Sequence, residues 1–327
     1  MPTEIRTTTA EIDSHARWDH VQVRLSYRRM DHLVSPGLYR LGTPDQDSPV
    51  LVTANYTLSF DALRSSLRGI DCYIMVLDTK GVNVWCAAGK GTFGTEEVVR
   101  KVHETGLADI VRHRRIILPQ LGAPGVSAHE VKKQTGFSVE YGPVRANDVQ
   151  EYLRLGRATP EMRKVTFPLK DRAVLAPMEL LQSMKYLVPA LILLFLAGGP
   201  FSAFVALATV LGGTVLFPLL LPYLPTREFS FKGVILGILL SLPLSAWNAL
   251  MHGDRAAWNL MAFGLGLALL MAPVIGYLGL NFTGSSTYTS RTGVKKEIFR
   301  WMPIFLAMVI LGTVSMILVA GNVLGWY

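Results

Sequence analysis

The sequence has only two cysteines, Cys72 and Cys86, and no CxxC spacing. These residues alone therefore cannot form a disulfide framework, a four-cysteine zinc site or a four-cysteine iron–sulfur cluster. Charge is sparse as well: 17% of the 327 residues are Asp, Glu, Lys or Arg, against 50% hydrophobic. Most of that charge precedes Tyr186, and the forty residues from Leu187 to Thr226 carry none. Such a run is too long for one buried helix and fits two membrane crossings, each needing about 20 apolar residues. The first residues, Met1-Pro2-Thr3-Glu4, start no apolar leader segment, so the polar half is expected to stay in the reducing cytosol. Many of the basic residues behind the net charge of +8 flank the hydrophobic runs. They read as orientation signals, and no nucleic-acid partner is expected.

What is present falls into four parts. Residues 1–48 are polar, lack a sustained period and read as an N-terminal arm or covering. Residues 49–158 have the texture of an α/β domain. Val50-Leu51-Val52-Thr53 and Cys72 to Leu77 are apolar strands, and Val82 to Trp85 reads as a third short one. Thr95 is the expected cap of a helix that buries Val98, Val99 and Val102 and stops near Gly106. Ile116-Ile117-Leu118 and Phe137 to Tyr141 are further strands, with helices at Val126–Gln134 and Val149–Leu155. Alternating strands and helices predict a mostly parallel, Rossmann-like sheet, whose ligands bind at the loops after the strands' carboxyl ends.

Residues 159–183 form a basic linker with Arg163, Lys164, Lys170 and Arg172. Residues 184–327 make an all-α transmembrane domain of five helices, at roughly 184–199, 201–223, 233–250, 257–280 and 301–323. The loops holding Arg227 and Lys232, and Arg291 to Arg300, are basic, whereas the other side offers only Arg255 and a Gly198-Gly199-Pro200 turn. The positive-inside rule then puts the N-terminal domain in the cytosol and the C-terminus outside a cell (inner) membrane. The spans carry no evident mid-membrane charge, which disfavours an ion-coupled pump. Met261, Met271, Met308 and Met316 read as packing.

Chemistry concentrates in Asn83-Val84-Trp85-Cys86-Ala87-Ala88-Gly89-Lys90-Gly91-Thr92, after a strand and before a helix. A phosphate-binding loop would need glycine where Val84 stands and Ser or Thr where Gly91 stands, so that reading fails twice. Small residues at such a turn let a flat, bulky ligand approach the backbone closely, with one cysteine at its centre. The rival is that Cys86 is a small packed hydrophobe.

The stretch Asn83 to Gly91, NVWCAAGKG, resembles the signature of the HgcA family, the membrane corrinoid proteins of mercury methylation. It more loosely resembles the corrinoid domain of the corrinoid iron–sulfur protein of the acetyl-CoA pathway. Leu51–Leu63, Ile117–Gly125, Tyr141-Gly142-Pro143 and Asn281–Val294 look like further parts of the same family. The resemblance implies that residues 49–158 bind a cobamide (a cobalamin-type corrinoid) and that Cys86 is the lower ligand of its cobalt. It places Asn83, Val84, Trp85, Ala87, Ala88, Gly89 and Lys90 under the corrin ring. Asn55, Tyr56 and Thr57, with Gln120, Leu121, Gly122, Ala123 and Gly125, would be further contacts.

The implied activity is a corrinoid-dependent methyltransferase that passes a methyl group from cobalt to Hg(II). A ferredoxin-like iron–sulfur reductant (HgcB) and methyltetrahydrofolate as methyl source are the implied partners, beside membrane lipid. A helix N-terminus and nearby Lys90 favour thiolate over thiol. A thiolate opposite a methyl group promotes its departure with carbanion character toward a soft electrophile. The histidine-ligand motif D-x-H-x-x-G is missing, since Asp13-Ser14-His15 runs on into Ala16, Arg17 and Trp18. Two rivals stay open: a corrinoid methyl carrier of an acetyl-CoA-type one-carbon pathway, and a non-catalytic membrane corrinoid-binding protein.

Overall fold

A computed structural model describes residues 4–25, 27, 31–253, 255–286 and 291–325. The chain divides into two compact units, Met1–Val165 and Thr166–Tyr327.

Among the described residues, the first unit is built on six strands: β1 (Arg6–Thr8), β2 (Gly37–Leu41), β3 (Val50–Ala54), β4 (Cys72–Leu77), β5 (Arg115–Leu118) and β6 (Ser138–Tyr141). They lie in the order β1-β2-β4-β3-β5-β6. Strands β4, β3, β5 and β6 run parallel, while β2 pairs antiparallel with β4. Every residue of β3 and β4 is buried, as expected for central strands covered on both faces. Alternate side chains divide between two cores: Tyr73, Met75 and Leu77 enter one, and Cys72, Ile74 and Val76 the other. The mostly parallel α/β expectation is met.

The helices are α1 (Ser14–Arg24), α2 (Thr57–Ser65), α3 (Val84–Lys90), α4 (Thr95–Glu104), α5 (Leu107–Ile110), α6 (Ala128–Thr135) and α7 (Val149–Leu155). Three local readings of the sequence need correction. The expected strand at Val82–Trp85 is absent, because the Asn83 side chain caps the backbone there and starts α3. Thr95 is the first residue of α4 rather than its cap, and its hydroxyl accepts the Ser127 N–H at 2.8 Å. Within residues 1–48, Gly37–Leu41 is not a covering but an integral strand, Leu38 and Leu41 being nearly inaccessible.

The second unit holds α8 (Leu169–Ala173), α9 (Ala176–Leu211), α10 (Phe217–Leu220), α11 (Phe229–Met251), α12 (Ala257–Phe282) and α13 (Arg291–Val323), with a π-turn at Gly212–Leu216. Among the described residues, four helical segments are long and apolar enough to cross a bilayer: Leu169–Leu220, Phe229–Met251, Ala257–Ser285 and Thr292–Val323. The expected count of five is therefore not reproduced as five separate helices. The first segment is 52 residues long, about 78 Å of helix at 1.5 Å per residue, against a hydrocarbon core of about 30 Å. It is interrupted where Gly198 and Gly199 leave helical geometry, Gly199 at φ 71°.

The expected linker 159–183 is divided between the units. Met162 is buried in the first, and its carbonyl accepts the Val144 N–H at 2.8 Å. Phe167 joins Phe217, Leu221, Phe229 and Phe282 in the second. Arg172, also buried, donates to the carbonyls of Pro218 and Leu219. Of the 281–294 stretch, Ser285 donates to Glu179 at 2.8 Å within the second unit, and residues 287–290 lie outside the described residues. So does the C-terminal residue Tyr327.

Candidate functional site

Because β3, β4, β5 and β6 run parallel, the loops after them gather along one sheet edge. The chain moves from β3 to β4 on one side and then to β5 on the other. The loops that follow β3 and β5 therefore flank the point where strand order reverses, the usual ligand crevice of such sheets. The segments 55–57, 83–90 and 120–125 all follow strands at this edge.

Helix α3 begins on Asn83, whose Oδ1 accepts the Cys86 N–H at 2.9 Å, and ends at Gly91 in the left-handed region at φ 85°. Its seven residues are amphipathic. Val84, Ala87 and Ala88 are buried, whereas Trp85, Gly89 and Lys90 are exposed and Cys86 is half-exposed. At 100° per residue the last four occupy one arc, with the Cys86 thiol between Gly89 and Lys90. A Cβ built on Gly89 would meet nothing within 4 Å, so the middle of this face is open.

The inner face of α3 rests on the loop after β5, where Gln120–Gly122 form a 3-10 turn. A Cβ at Gly122 would come within 2.5 Å of the Phe93 ring. One at Gly125 would lie 2.2 Å from the Phe93 carbonyl and 3.0 Å from Ala88 Cα. Gly122 is thus required by the close approach of Phe93, just beyond α3, and Gly125 by both Phe93 and α3 itself. Gln120, Leu121 and Ala123 remain partly accessible on the same loop.

Asn55 is 3% exposed, and its Oδ1 accepts the Thr79 N–H (3.0 Å), the Thr79 hydroxyl (2.9 Å) and the Gly81 N–H (3.1 Å). It stitches the β3 loop to the β4 loop that leads into α3. Tyr56 is buried and bridges Leu33, while Thr57, half-buried, opens α2. The structure therefore gives Asn55 and Tyr56 roles in holding the edge together, and leaves Trp85, Cys86, Gly89 and Lys90 presented outward.

The two cysteines differ in exposure, Cys72 being buried and Cys86 partly accessible. Cys72 is fully buried in β4, and burial, helped by the Asp71 charge, pushes its thiol up to about 12. Cys86 is accessible. Among the described residues no three His, Cys, Asp or Glu side chains converge as a metal cage.

Three residues at this edge make contacts or carry features that the sequence reading did not assign them. Thr79, in the turn after β4, is fully buried and receives the Asn55 stitch. Arg163 donates to Gln120 Oε1 at 2.8 Å from a segment read as linker. The Thr92 hydroxyl, just beyond α3, is buried without a hydrogen-bond partner. Only the turn composition around Thr79 offered a signal.

Residues 28–153 match the family described as CO dehydrogenase/acetyl-CoA synthase delta subunit, CdhD. The acetyl-CoA decarbonylase/synthase complex subunit gamma of Methanopyrus kandleri is 38% identical over 122 residues, covering 37% of this chain and 26% of that protein. The same subunit of Methanocaldococcus jannaschii is 34% identical over 128 residues, covering 38% and 26%. The corrinoid/iron-sulfur protein large subunit of Moorella thermoacetica is 29% identical over 128 residues, covering 38% and 28%. The chain thus spans about a quarter of the length of these relatives. The matched stretch lies inside the first unit and contains all three loops of the sheet edge. The first unit is similar to acetyl-CoA decarbonylase/synthase complex gamma subunits and to a corrinoid/iron-sulfur protein large subunit, and the apolar second unit lies outside the match.

Proposed function

We propose that the chain is a membrane-held corrinoid protein that transfers methyl groups to Hg(II), with the Cys86 thiolate as the protein's ligand to cobalt. The observation that carries this reading is the outward, half-exposed thiol of Cys86 on the open face of α3, at the strand-order reversal of the sheet. The residues present suit a corrinoid. A flat macrocycle needs a face without projecting side chains at its centre, and Gly89 leaves that space beside a soft sulfur donor. When bound, the corrinoid supplies a cobalt centre able to carry a methyl group.

The chain's own residues do the rest. Asn83 fixes the start of α3 and so the direction of Cys86. Ala87 and Ala88 let α3 sit close on the β5 loop, and Trp85 and Lys90 bound the open face. A thiolate is a strong donor to the metal and suits methyl delivery to a soft electrophile, which is why Hg(II) is the acceptor proposed. The four apolar helical segments support attachment to a membrane. Bending the 52-residue segment at Gly198-Gly199 would give five crossings, with residues 1–165 in the cytosol. Two cysteines cannot hold a four-cysteine cluster, so a separate ferredoxin-like reductant, with methyltetrahydrofolate as methyl source, completes the proposal.

The names of the similar proteins favour a second reading, a methyl carrier for an acetyl-CoA-type pathway. One experiment separates the two: the full chain in detergent, loaded with methylcobalamin, is offered Hg(II) or an acetyl-CoA synthase. Methylmercury formation that Cys86→Ala abolishes is the expected result. Loss of the methyl group only to the synthase would replace the mercury reading with the second one.

A further inference from the structure

The segment between the two units is not a free tether on the side of the first unit. Met162 is 6% exposed there, and its carbonyl takes the Val144 N–H in the loop after β6. Pro143 in that same loop accepts the Gln120 N–H at 3.3 Å. The next residue, Arg163, reaches the Gln120 side chain at 2.8 Å. Thr159 and Glu161 tighten the segment by accepting the N–H groups of Met162 and Lys164. Gln120 is thereby held from two directions, through its backbone by the β6 loop and through its side chain by Arg163. Four residues after Arg163 the chain is committed to the second unit, since Phe167 packs in that unit's core.

From these contacts we propose that Arg163 is a positioning residue for the corrinoid site, and that Thr159–Arg163 is part of the rim of that site. This rests on the reading of the sheet edge as a corrinoid site. Arg163 fixes Gln120, Gln120 opens the 3-10 turn, and the turn carries Gly122 against Phe93 under α3. The carboxyl-edge loop that supports the Cys86 helix is thus tied to the residues that lead into the membrane unit. A swinging arm would leave Gln120 indifferent to residue 163, and the hydrogen bond makes the two interdependent.

The test uses the full chain in detergent, titrated with cobalamin and followed by the cobalt–thiolate absorption, with thermal unfolding as a control. Loss of one largely exposed hydrogen bond from a charged donor corresponds to an affinity change of about fivefold. Arg163→Met is expected to weaken cobalamin binding by about that factor without moving the absorption bands, because Cys86 still ligates. Arg163→Lys is expected to recover most of the loss. If Arg163→Met also lowers thermal stability, a double-mutant cycle with Gln120→Met decides: the second substitution is expected to add little once the first is present. Fully additive losses, or wild-type affinity in Arg163→Met, overturn the proposal. A wild-type chain that does not bind cobalamin removes the underlying site reading instead, so the two failures are distinguishable.

Discussion

Replacing Asn55 by leucine should loosen the turn that feeds α3 by an amount the geometry allows one to work out. The Asn55 Oδ1 accepts three donors, but they do not lose equally. The Thr79 hydroxyl also lies 2.7 Å from the Val82 carbonyl and can donate there. The two amides of Thr79 and Gly81 have no such alternative, and Thr79 is fully buried. A buried donor left unpaired costs about 1–3 kcal/mol, so the pair should cost about 2 kcal/mol at the low end of the range. If that energy comes out of the local opening equilibrium, amide exchange in the turn should speed up by about thirtyfold. The measurement is hydrogen–deuterium exchange of the full chain in detergent, reading the peptide around residues 78–83. Asn55→Asp keeps an acceptor but sets a second carboxylate beside Asp78, and should recover only part of the protection. Wild-type exchange in Asn55→Leu would show that the asparagine is not the stitch described, and would return it to the pool of direct ligand contacts.

Three other outcomes are expected. In the native chain at mildly alkaline pH, a thiol reagent should modify Cys86 and leave Cys72 unmodified until unfolding, because burial pushes the Cys72 thiol up to about 12; early labelling of Cys72→Ala and Cys86→Ala alike would contradict this. The His32–Asp19 pair should grip most firmly at acidic pH. Burial opposes the His32 charge, but the Tyr27 carbonyl and the Asp19 carboxylate outweigh it and raise its pKa above 6.5. Its contribution is complete below 6.5 and is lost as pH rises through the raised value. Exchange of the Val34 amide, corrected for intrinsic rate, should therefore accelerate as pH rises through that raised value, and a flat profile would refute the clip. A reporter fused after Tyr327 should score on the opposite side of the membrane from residues 1–165, and a same-side result would leave the Gly198-Gly199 bend without a topological role.

Much of the first unit is legible because its signals are local and redundant. β4, Cys72-Tyr73-Ile74-Met75-Val76-Leu77, is apolar on both faces, and a strand buried on both faces has no other way to read. Cys86 was legible as a ligand candidate from the composition of its loop. What its neighbours do was not. Asn55 and Gly125 were grouped with the cofactor contacts, yet one is consumed by the Thr79 turn and the other by Phe93 and Ala88. Those partners lie 24 or more positions away, and no period or spacing encodes them. The same holds for Arg163, whose partner Gln120 is 43 residues earlier. β2 escaped because five residues flanked by Pro36 and Gly42 give too short a window for alternation to register. The bend at Gly198-Gly199 was legible, since paired glycines before a proline disfavour a continuous helix.

The antiparallel strand β2 bears on where the protein can be cut. β4 is its partner, and all six of its side chains are inaccessible to solvent. A fragment begun at residue 49, where the strand–helix alternation starts, would leave the backbone donors and acceptors of that strand bare along one whole side. An uncovered apolar edge invites pairing with another chain. Such a fragment would be expected to pass through soluble expression into aggregates, whatever its affinity for a cofactor. The arm thus acts as a guard on self-association, and a soluble preparation of this unit has to keep residues 6–41.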